Sequence, residues 1–136
     1  MSSWNDRVIE EFRTNHGVTE RWGKNLVVMH TTGAKSGEER LTPVMGLRVD
    51  DGWLIVASKG GAPRNPSWYY NLLAHPAFDV EVHVDGEVAT VAVTARELTG
   101  AEHDEAWQRI ISRRPYFADY QDKAGRILPL FKLERS

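Results

Sequence analysis

The feature that most constrains the fold is a hairpin in the second half of the chain. Residues 78–84 (FDVEVHV) and 88–98 (VATVAVTAREL) alternate apolar and polar side chains on either side of the Asp85–Gly86 turn, as two half-buried antiparallel strands do. Four more candidate strands, joined mostly by short turns, lie at 25–32, 40–49, 53–58 and 126–135. The pattern therefore predicts a mainly β, α+β fold: a small six-stranded antiparallel barrel with short helices packed around it.

The composition narrows the class of protein. A chain of 136 residues with 41% hydrophobic residues is ordinary for one globular domain, expected here over 1–136. The net charge of −2 argues against a nucleic-acid binder, which usually has a basic footprint. The absence of cysteine excludes disulfides and thiolate catalysis and is compatible with a cytoplasmic location. Neither a secretory leader pattern nor an apolar run of membrane-spanning length occurs.

The first segment, 1–16, predicts an amphipathic helix whose regular part covers about 3–15. Trp4, Val8 and Phe12 recur every four residues with Ile9 beside them, which gives one apolar stripe. We expect this stripe to pack on the domain. The alternatives are that the helix covers a ligand groove or makes peripheral contact with a membrane surface.

A loop longer than a tight hairpin needs separates the first two strands. Its sequence is GAKSGEER, residues 33–40, and it carries two glycines with the cations Lys35 and Arg40. Glycines let backbone N–H groups approach an anion, and the cations supply charge for one. Neither a G-x-x-x-x-G-K-[ST] nor a G-x-G-x-x-G pattern occurs. This loop alone therefore leaves a phosphate site and an ordinary surface hairpin about equally open.

A second loop of the same kind favours a binding site. Residues 57–65 (ASKGGAPRN) follow another strand, carry paired glycines and add Lys59 and Arg64. Two basic loops at the ends of neighbouring strands can frame one groove.

The helix predicted after the second loop adds groups suited to a flat ligand. Asn65 is expected to cap this helix, and Pro66 suits its first turn. Trp68 and Asn71 are three residues apart and therefore share a face. A flat ring beside a polar amide suits recognition of a planar heterocycle.

Other chemistries lack their motifs. There is no G-x-S-x-G nucleophile elbow, and the histidines at 16, 30, 75, 83 and 103 have no H-E-x-x-H spacing. We therefore expect no metal site and no serine hydrolase of that type.

Five segments, taken together, resemble one known family. They are VIEEFRTN, HTTGAKSGEERLTPV, VASKGGAPRNPSWYYNLLAHP, VTAREL and RPYFADYQDKAGRILPL, in chain order over nearly the whole sequence. They resemble the deazaflavin-dependent nitroreductase family, small FMN-binding-like split β-barrel proteins that use coenzyme F420 and occur mainly in actinobacteria. The resemblance implies a single deazaflavin-binding split barrel over 1–136. It also implies hydride transfer from reduced F420 to quinones, nitro compounds or other electron-poor small molecules.

The resemblance further implies which residues bind the cofactor. In relatives, the G-x-K-[ST]-G-x-x-R-x-x-P-[LV] segment binds the coenzyme, which places Lys35 and Arg40 at its phosphate and acidic tail. With the A-S-K-G-G and N-P-x-W-Y-x-N-L segments, the implied cofactor-binding set is Lys35, Ser36, Arg40, Thr42, Pro43, Val44, Met45, Val56, Ala57, Ser58, Lys59, Gly60, Ser67, Trp68 and Asn71.

Relatives commonly carry tyrosines before the last strand, lining the substrate side. That implies Tyr116, Phe117 and Tyr120 as substrate-binding residues, with Tyr120 or water as the proton donor. Phe117 and Arg114 depart from the tyrosine pattern, which leaves open whether nitroimidazole prodrugs are reduced.

Two alternative functions stay open. One is an FMN-dependent reductase of the same fold, and the other is a non-catalytic protein that binds F420 or a tetrapyrrole. We expect a small-molecule electron acceptor and no nucleic acid as partners. Monomer and homodimer, and a cytoplasmic or a membrane-associated location, are both compatible with the sequence.

Overall fold

The structure, a computed structural model, describes residues 4–136. In chain order its elements are α1 (Trp4–Thr14), β1 (Leu26–Thr32), β2 (Glu39–Met45), β3 (Leu47–Val49), β4 (Gly52–Val56), a 3-10 turn (Lys59–Gly61), α2 (Ser67–Ala74), β5 (Ala77–Val84), β6 (Glu87–Leu98), α3 (Gly100–Arg113), α4 (Tyr116–Ala124) and β7 (Leu130–Arg135). The predicted α+β class and its antiparallel hairpins are confirmed. The part of the predicted first helix that precedes Trp4 lies outside the described residues.

The strands form one antiparallel sheet in the order β2-β1-β5-β6-β7-β4-β3. Its two edge strands, β2 and β3, are consecutive in the chain and separated only by Gly46. One bent segment, 39–49, thus pairs with β1 at one edge and with β4 at the other. The sheet curls round to meet this segment, which gives the split barrel.

Gly46 explains why the expected six strands are seven. The Gly46 N–H donates to the carbonyl of Asn25 at 2.7 Å, and a Cβ at Gly46 would lie only 2.6 Å from Cγ2 of Val27. Glycine fits this close approach at the point where the chain turns a corner and changes strand partners from β1 to β4. The continuous strand predicted over 40–49 is therefore wrong in this one respect.

Apolar side chains from strands on both sides of the barrel fill its interior. Met29, Ile55, Val80 and Phe131 are each no more than 1% exposed, and burial of such side chains stabilises by about 1.5–3 kcal/mol each. Leu72 of α2 belongs to the same cluster. This contact fixes α2, and with it the loop that precedes α2, against the barrel.

Helix α1 packs on the outside of the barrel, as expected. Val8, Ile9 and Phe12 are buried in a cluster with Leu26 and Val28 of β1. Phe12 has no exposed surface, so the part of the apolar stripe that follows Trp4 packs against the domain itself.

Helices α3 and α4 cover another part of the sheet. Ile110 of α3 and Phe117 of α4 are buried in a cluster with Leu98 and Leu130. Helix α4 ends at Gly125, which has the left-handed φ of 66° that glycine adopts without strain. Met45 of β2 belongs to the same cluster as Phe117, so α4 and β2 meet there.

Candidate functional site

Two adjoining cavities lie where β2, α4 and the two basic loops meet. The first has a volume of about 870 Å³ and the second about 800 Å³. We call the first the aromatic cavity, because Trp4, Trp22, Trp68 and the rings of α4 line it. The second, between loop 1 (33–40) and loop 2 (57–65), is the basic groove. Lys59 lines both of them.

The basic groove concentrates positive charge. Lys35, Arg40, Lys59 and Arg64 line it, and no Asp or Glu is among the described residues that do so. None of these four side chains forms a salt bridge with a carboxylate within residues 4–136. Glu38 and Glu39 lie in loop 1 but pair with none of the four, so the cations are available to a ligand with several negative charges.

Loop 1 is a closed turn held by its own backbone. The Gly33 N–H donates to the carbonyl of Glu38 at 2.8 Å, and the Gly37 N–H donates to the carbonyl of Gly33 at 2.9 Å. Gly37 has φ of +72°, which disfavours any side chain, and a Cβ at Gly33 would meet Oγ of Ser36 at 2.4 Å. This compact turn is what positions Lys35 and Arg40.

Asn71 connects the two sides of the groove. Its side-chain Oδ1 accepts a hydrogen bond of 2.9 Å from the backbone N–H of Ala34. Asn71 is only 7% exposed whereas Ala34 is exposed, so the bond is part-buried. Its amide oxygen therefore orders loop 1, in addition to any contact that the residue makes with a ligand.

Loop 2 is braced by Arg126, which sequence reasoning missed. The guanidinium donates to the carbonyl of Arg64 at 2.8 Å, to the carbonyl of Ala62 at 3.3 Å and to Oδ1 of Asn65 at 2.6 Å. The predicted cap by Asn65 is wrong: the residue before α2 is Pro66, and no side chain caps the helix. Arginine has five donors in a rigid fork, which suits it to collecting several oxygens of one loop.

The aromatic cavity is a slot between β2 and α4. Residues 42–45 form one wall, and Tyr116, Phe117 and Tyr120 contribute to the other. The rings of Tyr116 and Tyr120 meet edge to face with centroids 5.5 Å apart. Trp68 packs on the core residue Phe131 at a centroid distance of 6.2 Å. Such a slot holds flat, largely apolar molecules.

Burial raises the pKa of the Tyr116 hydroxyl above its ordinary value. The charges of Arg114 and Arg21 oppose this shift, and Tyr120 adds to it. Tyr116 is therefore a neutral phenol at neutral pH and can donate a hydrogen bond into the cavity.

The structure brings nearly all of the predicted residues to these two cavities. The aromatic cavity is lined by Thr42, Pro43, Val44, Met45, Val56, Ser58, Lys59, Trp68, Tyr116, Phe117 and Tyr120. The basic groove is lined by Lys35, Ser36, Arg40, Lys59, Ser67 and Asn71. Ala57 lines neither, because its side chain is fully buried. Gly60 lies in the 3-10 turn, and its part in cofactor binding stays a prediction.

Several cavity residues escaped the sequence reasoning. They are Trp4 and Asn5 of α1, and Arg21, Trp22 and Gly23 of the segment after it. Arg114, which the sequence analysis named only as a departure from the tyrosine pattern, also lines the cavity. Trp4 is 50% exposed, and its ring meets that of Trp22 edge to face at 5.6 Å. The first turn of α1 thus also borders the ligand cavity, which was the alternative considered for this helix. The sequence contains five tryptophans, which is many for a chain of this length and could have indicated a site for a flat ligand. The number alone does not show which of these rings line a cavity.

Within residues 4–136 no cluster of three or more His, Cys, Asp or Glu side chains is arranged to hold a metal ion. No helix in that range is both long and apolar enough to span a bilayer.

The fold and the site fit one class of protein: a split-barrel oxidoreductase for a planar redox cofactor with an anionic arm. The model of the F420H(2)-dependent quinone reductase family matches residues 4–135. The chain belongs to this family, and its cofactor is reduced coenzyme F420.

Individual proteins with similar sequences support the same family. An F420H(2)-dependent quinone reductase of Mycobacterium tuberculosis is 39% identical over 112 residues, which are 80% of this chain and 72% of that protein. A solved F420-H2 dependent reductase (FDR-A) is 40% identical with a TM-score of 0.71, over 82% of this chain and 95% of its own. A second solved structure, described as a domain-swapped dimer, is 38% identical with a TM-score of 0.71 and covers 93% of this chain and 91% of its own.

Proposed function

We propose that this chain reduces quinones and other electron-poor small molecules, nitro compounds included, with F420 bound across both cavities. The observation that carries the proposal is the position of Lys59, which lines the basic groove and the aromatic cavity alike. A ligand with a flat ring and a polyanionic arm can therefore occupy both at once. F420 has this shape, since its deazaflavin ring continues into a phosphate and a glutamate tail.

The residues present fit this cofactor. Lys35, Arg40 and Arg64 would bind the phosphate and the glutamate carboxylates through charge-assisted hydrogen bonds. Residues 42–45 would lie beside the ring, with Trp68 at the same cavity. When bound, reduced F420 supplies a hydride at its deazaflavin ring.

The chain's own contribution is binding, orientation and proton supply. Tyr116 and Phe117 would position a flat acceptor on the α4 side of the cavity and keep water from it. The Tyr120 hydroxyl is our candidate proton donor to the reduced acceptor, with water as the alternative.

A spectroscopic assay tests the proposal. Reduced F420 and menadione are mixed with the protein, and the return of the oxidised F420 absorbance is followed against the uncatalysed background. NADPH and reduced FMN serve as control donors, and we expect turnover with reduced F420 alone. FMN lacks the glutamate tail and would leave part of the basic groove empty, so turnover with reduced FMN would favour the FMN-dependent alternative.

A different result would identify a non-catalytic binder. If F420 binds tightly but its oxidation stays at background with several quinones and a nitroaromatic compound, the reductase proposal is wrong. The protein would then be a carrier of F420, or of a tetrapyrrole if haem competes for the site.

We infer a homodimer and a cytoplasmic location. The support for the dimer is the 38% identical relative described as a domain-swapped dimer. Membrane contact through α1 has little support, because Val8, Ile9 and Phe12 are buried and Trp4 alone of its large apolar side chains is exposed.

A further inference from the structure

Two arginines at the aromatic cavity have no part in the proposed binding of F420. Arg21 lies between α1 and β1, and Arg114 lies between α3 and α4. Both line the aromatic cavity, whereas the cations assigned to the anionic arm of the cofactor line the basic groove. The cavity that would receive the acceptor therefore has a cationic part of its own.

Neither arginine is neutralised by the protein. Among residues 4–136, no carboxylate forms a salt bridge with Arg21 or Arg114, and no Asp or Glu lines the aromatic cavity. Two arginines elsewhere in the fold do have carboxylate partners: Arg13 binds Glu81, and Arg96 binds Glu102 and Glu134.

The contacts of the two side chains keep them at the cavity without using up their donors. The Arg21 guanidinium lies over the ring of Trp22, 4.9 Å from its centroid. Arg114 is half-buried and donates from Nη1 to the carbonyl of Arg113 at 3.0 Å. Both charges act on the Tyr116 hydroxyl, where each lowers the pKa against the effect of burial. The two guanidiniums thus act on the same hydroxyl at the α4 side of the cavity.

We propose that Arg21 and Arg114 bind an anionic substituent of the acceptor, so that this protein prefers flat, electron-poor aromatic acids such as carboxylated or sulfonated quinones. A guanidinium binds a carboxylate or sulfonate through paired, charge-assisted hydrogen bonds. Arg21 is exposed and Arg114 is half-buried, so both can reach a substituent that enters from the open side of the cavity. Phe117 and Tyr120 would meanwhile contact the ring. The inference rests on the proposed function and names the substrate class of the same site.

The reaction itself is unchanged by this binding mode. The quinone takes up a hydride, which carries two electrons, and one proton, and becomes the hydroquinone while reduced F420 is oxidised. The anionic substituent forms only hydrogen bonds and leaves with the product.

The test compares a charged and a neutral acceptor. The kcat/KM values for 1,4-naphthoquinone-2-sulfonate and for menadione are measured with reduced F420 in the wild type, Arg21→Gln and Arg114→Gln. Each variant should lose about tenfold with the sulfonate, mainly through KM, which is the factor for roughly 1.4 kcal/mol. Menadione should change by less than about twofold. Arg113→Gln, an exposed neighbour that does not line the cavity, should affect neither acceptor.

Two variants and a cofactor titration separate the proposal from structural effects. Arg114→Lys and Arg21→Lys keep the charge and should retain most of the preference for the sulfonate. An equal loss with both quinones, or weaker F420 binding in the glutamine variants, would overturn the proposal.

A binding measurement keeps this test independent of turnover. Calorimetry with naphthalene-2-sulfonate and the neutral naphthalene-2-sulfonamide is run with and without F420. Tighter binding of the sulfonate that depends on Arg21 and Arg114 supports the anion site even if no quinone is reduced, in which case only the proposed function fails. Equal affinity for the two naphthalenes would overturn the anion site.

Discussion

The side-chain Oδ1 of Asn71 accepts a hydrogen bond of 2.9 Å from the backbone N–H of Ala34, 37 residues away in the chain. This bond joins α2, which carries Trp68, to loop 1, which carries Lys35. The bond therefore fixes the position of the basic groove relative to the aromatic cavity.

Asn71→Ala should weaken F420 binding and lower the thermal stability. Loss of this part-buried hydrogen bond costs about 0.5–1.5 kcal/mol, and loop 1 would lose this contact with α2. Fluorescence titration of F420 and a melting curve measure the two effects. Leu73→Ala, at an exposed position of the same helix, should change neither. Unaltered F420 affinity in Asn71→Ala would mean that loop 1 is ordered without this bond.

The double variant Lys35→Ala with Arg40→Ala should bind F420 at least about tenfold more weakly. Removal of a hydrogen bond to a charged group costs about 1.5–3 kcal/mol, and both side chains line the basic groove. Titration at low and high salt checks the cause, because screening should reduce the difference. Lys24→Ala, a cation that lines neither cavity, serves as the matched control. If the double variant retains wild-type affinity, loop 1 is an ordinary hairpin.

Much of this site could be predicted because the residues that contact a ligand lie in short contiguous motifs. One loop brings Lys35 and Arg40 together. The short segment between the 3-10 turn and the start of α2 likewise joins Lys59 to Trp68. Arg126 could not be found in this way, since it contacts loop 2 across 61 to 69 residues of chain. The same is true of Arg21, which lies between α1 and β1 and lines the cavity together with residues of β2 and α4. Long-range contacts of this kind depend on tertiary packing, which has no local sequence signal.

The corner at Gly46 shows the corresponding limit for the fold. The pattern over 40–49 is that of one strand, and the residues do form strand on both sides of the glycine. The sequence around Gly46 does not show that Val27 of β1 packs against it, where its Cγ2 would lie 2.6 Å from a Cβ at position 46. The break in the strand therefore depends on a tertiary contact.

Arg126→Lys should disorder loop 2 and reduce F420 affinity although the charge is kept. One ammonium cannot reproduce the hydrogen bonds that the guanidinium makes to Ala62, Arg64 and Asn65. We expect faster hydrogen exchange over 57–66 and an F420 affinity lower by about fivefold or more. Arg113→Lys, on exposed surface, is the control. If hydrogen exchange in loop 2 of Arg126→Lys is as slow as in the wild type, the hydrogen bonds of Arg126 do not stabilise the loop.

Tyr120→Phe should lower kcat for menadione by about 10²-fold with little change in KM, if the hydroxyl supplies the proton. The substitution keeps the ring that meets Tyr116 and Phe117 edge to face, so acceptor binding should persist. Steady-state kinetics across pH and in deuterated water measure the effect. An unchanged kcat would assign the proton to water.

Part of the stability that the protein loses at acid pH should come from Glu81, a carboxylate only 6% exposed in β5. Hydrogen bonds from Arg13, at 2.8 Å and 2.5 Å, lower the pKa of Glu81 against the opposing effect of burial, and His30 lies 2.7 Å away. Because the folded pKa is below the ordinary value of 4.5, the stabilisation is complete above that pH and is lost as the pH falls from there through the folded pKa. Glu81→Gln should therefore lower Tm by a few degrees at neutral pH, at about 2–4 °C per kcal/mol. The difference in Tm between the variant and the wild type should disappear below about pH 4. Melting curves from about pH 7 to about pH 3, with the exposed Glu87→Gln as control, measure it. A Tm difference that is constant across this pH range would show that the ionised form of Glu81 does not contribute to the stability.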